Sequence, residues 1–222
     1  MEKERTIRVT GKGNLKVHPD MTRVTIDITR VYREYSETLK RASMDTKALR
    51  ILLSRFGFEH SDLKTVHFSV DTEMETYRED DVYKQRLIGY RYTHSTKIEF
   101  DSDNERLGKI LYALAHSSLE PKFRLSYTVK DPEAVKNNLL SRAVKDAKEK
   151  AKILTAAADV ELGGILSIDY SWREITFEEH PLQLIEEKIP CSEPLASYDL
   201  DIEPDDISAS DTVTIIWKIK QK

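Results

Sequence analysis

Six histidines, one cysteine and several close carboxylate pairs are the residues of this chain that could do chemistry. Zinc takes three or four converging nitrogen, sulfur or oxygen ligands, so a metal site needs such residues on one face. His67, Asp71 and Glu73 alternate along one face of a segment with strand character, and His94 falls in a neighbouring one. His18, His60, His116 and His180 are scattered, and no spacing among the six demands a metal. The pairs Glu73/Glu75 and Asp80/Asp81 could serve acid–base catalysis, which requires carboxylates with perturbed pKa values. They stand in a polar stretch, Glu73 to Gln85, that reads as an extended hairpin or a loop, where such perturbation is not expected. Cys191 sits between Pro190 and Ser192 among acids, and neighbouring negative charge disfavours the thiolate that a nucleophile needs. No Ser/His/Asp order stands out. Catalytic, cofactor-binding and metal-ligating roles are therefore assigned to none of these residues. The expectation is a protein that is not an enzyme and uses no cofactor.

Three further groupings have simpler structural explanations. His18-Pro19-Asp20 is the tripeptide with which J-domain co-chaperones stimulate an ATPase, but there it joins two helices. Here both flanks read as strands, so proline fixes φ at a turn and aspartate bonds the following backbone. Gly11-Lys12-Gly13 lacks the second half of either nucleotide-binding fingerprint and opens no helix. Its glycines predict a bulge or a close backbone crossing in the first strand. Tyr77, Tyr83, Tyr90 and Tyr92 could stack on bases, yet Glu73, Glu75, Glu79, Asp80 and Asp81 beside them would repel phosphates. Tyrosine suits surfaces that are dry at one end and wet at the other, so packing and a subunit interface are the readings kept.

The elements that must position these residues follow from hydrophobic period. Val24, Ile26 and Ile28 alternate with polar residues, as do Val66, Phe68 and Val70, and Phe123, Leu125, Tyr127 and Val129. Ile88, Tyr90, Tyr92, Ile98 and Phe100 share one face of a long strand, opposite Arg91, Thr93, Ser95, Lys97 and Glu99. Leu39, Ala42, Thr46, Leu49, Leu53 and Phe56 form a helical stripe, with Ser36 as expected N-cap and Gly57 at its end. Asp103 caps a short helix carrying Leu107, Ile110, Leu111 and Leu114. Asp131-Pro132-Glu133 opens the strongest helix, whose seam is Leu140, Ala143 (or Val144), Ala147, Ala151, Leu154 and Ala158. Leu166, Ile168, Tyr170 and Trp172 then begin a strand, and Val213, Ile215, Trp217 and Ile219 make the last one. The order is β-β-α-β-β-α-β-α-β-(excursion)-β. It predicts an α+β fold, a largely antiparallel sheet with helices packed on one face, in a single domain over 1–222. Strands at 5–31 and at 63–100 are expected to pair with their sequence neighbours.

The excursion, 173–206, holds four of the seven prolines and eleven acids against two bases. It carries −9, which leaves +5 for the rest of a chain whose total is −4. With a pI near 5.9, the helical basic residues read as solvated faces, and no nucleic-acid partner is expected. One cysteine excludes an intramolecular disulfide framework. No apolar run approaches a membrane span, and the opening Met-Glu-Lys-Glu-Arg-Thr has no apolar signal core, so a soluble cytoplasmic location is expected.

In order and spacing these segments resemble the SIMPL-domain family, a largely uncharacterised bacterial group related to periplasmic and outer-membrane immunogenic antigens. The resemblance rests on Val9 to Gly13 and Val17 to Asp20 in the opening, and on Phe56-Gly57-Phe58 closing the first helix. It also rests on Leu63 to Phe68, Gly89-Tyr90, Ala143 to Lys152, Leu162 to Gly164 and Ile207 to Ile216. It implies an α+β fold, homo-oligomers that are ring- or channel-like in some members, and an association with envelope or stress physiology. It carries no catalytic residues to transfer. The functional expectation is a non-enzymatic self-assembling protein whose sheet edges and Tyr-rich segment meet other copies or a protein partner. The alternative is a small-molecule binding module with a pocket between sheet and helices, mouthed by 73–85 and 173–206. A hydrolase using loop carboxylates or a hidden metal is the third reading.

Overall fold

The structure, a computed structural model, describes residues 5–170 and 202–221. In chain order its elements are β1 (Thr6–Val17), β2 (Met21–Tyr32), α1 (Tyr35–Ser54), β3 (Lys64–Glu79) and β4 (Val82–Asp101). Then come α2 (Asn104–Ala115), β5 (Lys122–Thr128), α3 (Pro132–Ala157), β6 (Val160–Asp169) and β7 (Ile207–Gln221). This is the order read from the sequence, and the fold is α+β. Residues 173–201 of the acidic excursion, with Cys191 and His180, lie outside the described residues.

The strands divide between two sheets, β1-β7-β6 and β3-β4-β2-β5. The pairs β1/β7, β6/β7, β2/β4 and β3/β4 are all antiparallel. Two compact units result, one on β1, α3, β6 and β7, the other on β2 to β5 with α1 and α2. β3 and β4 pair as neighbours, as expected. β1 and β2 do not: β1 runs against β7, from Thr6↔Lys218 to Val17↔Ile207. The Pro19-Asp20 turn explains the divergence. The Asp20 amide donates to the Thr128 carbonyl (3.2 Å) and its Oδ1 accepts from the Lys130 amide (2.7 Å), so the turn is tied to the chain after β5.

In the β2–β5 unit, alternation buries Val24, Ile26 and Ile28 of β2 and Tyr92, Ile98 and Phe100 of β4. Ala42, Leu49 and Leu53 of α1 and Leu107, Ile110, Leu111 and Leu114 of α2 complete this core. Asp103 caps α2 as expected, accepting from the Arg106 amide at 2.9 Å. α1 starts earlier than expected: Glu34 is its N-cap, with no side-chain cap bond, and Ser36 is already helical.

In the other unit Asp131 caps α3 by accepting from the Ala134 amide (2.9 Å), with Pro132 in the first turn. Ala143, Ala147 and Ala151 stack at steps of four and face Val9, Val213, Ile215 and Trp217. The small residues matter because β1 lies against the helix backbone. A Cβ on Gly11 would sit 2.1 Å from the Ala143 oxygen, and one on Gly13 would sit 2.1 Å from the Leu139 oxygen. Here the Gly-Lys-Gly motif makes the expected close backbone crossing. The same helix covers the β1 edge: the Lys12 amide donates to Asp146 Oδ2 (2.7 Å), and the Asn14 carbonyl accepts from Arg142 (3.1 Å). Lys150 and the Lys12 amide hold the Asp146 carboxyl below its ordinary range.

Candidate interaction surface

β2 pairs with β4 only from Met21↔Asp101 to Tyr32↔Tyr90. Past that point β3 and β4 continue as a two-stranded arm, from Met74↔Leu87 to Glu79↔Val82. At 3.4 Å per residue the arm extends about 20 Å. Of the two readings of Glu73 to Gln85, extended hairpin or loop, the hairpin is the one that forms. Its turn is Asp80-Asp81, both at positive φ (52° and 60°), the signature of a two-residue type I′ hairpin. An irregularity between Glu73 and Met74 leaves Ile88 as the extra residue of β4 at the root of the arm.

Each face of the arm is held by cross-strand pairs. One carries Glu75 with Arg86 (2.6 Å) and Glu79 with Lys84 (2.7 Å), with the Arg86 guanidinium over the Tyr77 ring at 5.4 Å. The other carries Met74 opposite Leu87 and Arg78 opposite Tyr83, with Arg78 also paired to Asp81 (2.6 Å). Ion pairs this exposed contribute little each, about 0–1 kcal/mol. Met74, Val82, Tyr83 and Leu87 remain 46–74% exposed, and Ile88 and Phe68 at the root are exposed too. A two-stranded ribbon that carries exposed Met, Val, Tyr and Leu side chains among its charges is a candidate surface for meeting a partner.

The residues singled out in the sequence do not converge. His67 pairs with Ser95 and Phe68 with His94, so His67 and His94 lie on opposite faces of the sheet. Asp71 and Glu73 share the face of His67; Glu73 pairs with Arg91 and Glu75 with Arg86. His18 approaches Asp206 (3.5 Å), and His116 stacks on Tyr112 at 4.0 Å. Among the described residues, no cluster of three or more His, Cys, Asp or Glu is placed to hold a metal. The tyrosines also separate. Tyr92 is in the core, Tyr90 meets Tyr35 edge-on at 5.4 Å, and Tyr77 and Tyr83 occupy the two faces of the arm. Open grooves among the described residues include two that lie away from the arm. One, of about 570 Å³, lies beside the start of α1 (Glu34, Glu37, Arg41 and Met44 among its walls). The other, of about 450 Å³, lies near Lys12, Lys16 and Arg142.

Two polar groupings escaped the sequence reading. The Tyr92 hydroxyl, fully buried, donates to Asp45 of α1, and Arg30 of β2 approaches the same carboxylate at 3.7 Å. Burial first, then donation to Asp45, pushes the Tyr92 phenol well above its ordinary value. Arg30 also donates to the Ser118 carbonyl at 2.6 Å. Beside this grouping, His94 is buried between Thr46 of α1 and Thr65 of β3, each 3.0 Å from a ring nitrogen. The available signal was a polar residue at an apolar phase: Tyr92, His94, Thr96 and Ile98 alternate, and all four are buried. Among the described residues, no helix is long and apolar enough to cross a membrane.

A family model described as SIMPL, protein of unknown function (DUF541), matches residues 7–217. The 26 kDa periplasmic immunogenic proteins of Brucella melitensis and Brucella abortus are each 26% identical to the chain over 164 residues. The match takes in 73% of this chain and 65% of theirs, so it spans less than two thirds of those relatives. Their names overturn the cytoplasmic expectation. That expectation leaned on the opening residues and the lack of a long apolar run, and neither fixes where a folded domain resides. A domain with cores of this size needs no disulfide outside the cytoplasm.

Proposed function

The chain belongs to the SIMPL family, whose function is unknown, and from that premise we propose a non-enzymatic, self-assembling protein of the cell envelope whose β3–β4 arm joins one copy to another. The observation that carries the reading is the arm itself. A two-stranded ribbon is marginally stable alone in water, yet this one presents Met74, Val82, Tyr83 and Leu87 to solvent. Covering such side chains is worth about 25 cal/mol per Å² of apolar surface. The non-enzymatic half of the reading is supported by Glu73, Glu75, Glu79 and Asp81, each of which is paired with a base. The envelope location is carried over from the names of the Brucella relatives.

Light scattering after size exclusion tests the assembly. The protein is expected to run as a discrete oligomer at micromolar concentration, and Met74→Asp with Leu87→Asp is expected to give a monomer with an unchanged melting temperature. A wild-type chain that stays monomeric sinks the reading. Cell fractionation tests the location, with recovery alongside periplasmic markers expected.

A further inference from the structure

Both ring nitrogens of His94 are engaged, and the bonding assigns the proton. The Thr46 hydroxyl gives its one hydrogen to the Ala42 carbonyl (2.8 Å), so toward Nδ1 it can only accept. Nδ1 therefore carries the hydrogen, and Nε2 accepts from the Thr65 hydroxyl. A neutral ring thus ties α1 to β3 across β4. The bulge between Thr65 and His67 makes this possible. In a regular strand Thr65 and Phe68, three apart, would face opposite ways; the extra residue Val66 brings both to the His94 side.

The surroundings favour only the neutral form. From α1, Arg50 acts on the ring with positive charge, and its own Nε is buried without a hydrogen-bond partner among the described residues. From β2 the ring meets Ile28, opposite it in register. From β3 it meets Thr65 and the edge-on ring of Phe68 at 5.3 Å. Asp45, next to Thr46, is already held by Tyr92 and Arg30.

We propose that His94 is an acid-released latch on the root of the β3–β4 arm. Protonation places a second cation beside Arg50 in a buried site, makes the Thr65 hydroxyl turn its own hydrogen away to accept from Nε2, and so loosens the start of β3 from α1. Burial first, then Arg50, lowers the ring's pKa below its ordinary 6.5. The folded ring therefore resists a proton that the opened segment accepts. The latch is fully closed above that value and weakens as pH falls below it, until the closed form itself titrates. The consequence for assembly rests on the arm being the joining element; the latch does not.

The test follows the His94 ring by NMR while amide exchange is measured over residues 64–68 of the full-length protein. Local opening is expected to grow roughly tenfold per pH unit below the ordinary histidine value, levelling off where the ring titrates. His94→Gln is expected to abolish this pH step, and His67→Gln, on the opposite face, to leave it. A ring that titrates with exchange unchanged, or a step that persists in His94→Gln, overturns the latch. Should His94→Gln fail to fold, agreement or disagreement of the two midpoints in the wild type decides. A monomer at every pH would remove the assembly reading while leaving this measurement intact.

Discussion

Single side chains here are decided by how closely backbones approach. Gly11→Ala would press a methyl into the α3 main chain. It should destabilise the β1–β7 unit by about 3 kcal/mol or more, since over-packing a filled site commonly costs 1–3. Urea titration followed by Trp217 fluorescence, in a Trp172→Phe background, measures it. Asp131→Ala removes the cap of α3 and should cost about 1 kcal/mol in the same assay. Both positions were legible, because glycine spacing and an Asp-Pro pair act through the local backbone. His94 was not. The alternation that exposed Tyr92, Ile98 and Phe100 as core was read only for apolar residues, so a histidine in the same phase dropped out. Its partners Thr46 and Thr65 come from elements distant in sequence, and the bulge that aims Thr65 leaves no mark in residue types.

The arm shows what pattern reading loses at the scale of an element. Period two announces a strand only when one face is dry. Between Met74 and Leu87 both faces carry charge, so the period alone left a fourteen-residue hairpin and a loop undecided. The same reasoning placed β1 beside β2, since adjacency in sequence was the only guide to pairing. In α3 Ala143, Ala147 and Ala151 of the expected seam are buried, but Leu139 and Thr155 complete it where Leu140 and Leu154 were expected, and Leu154 is half exposed. The turn of the arm offers its own test. Asp80 and Asp81 both hold left-handed backbone without glycine. Asp81→Gly should steady the arm by on the order of 1 kcal/mol, read as slower amide exchange across Met74–Leu87. Faster exchange would mean that the turn is held by something other than its own geometry.

Across the whole molecule, element order and fold class were readable, while the sorting of strands into two sheets was not, because that depends on β7. The last strand lies between β1 and β6 and takes hydrogen bonds from both. Removing residues 207–222 should abolish exchange protection in β1 and α3 but spare α1, α2 and β4, whose core draws on none of β7. The opposite pattern would mean that the two units do not hold separately. A timing problem during synthesis also follows from the β7 position. β1 emerges from the ribosome long before its mate, and until β7 follows, the amides it shares with that strand stay unpaired. Any product that stops short of β7 therefore carries an unpaired, sticky β1, which gives the cell a reason to shield it and quality control a way to recognise it.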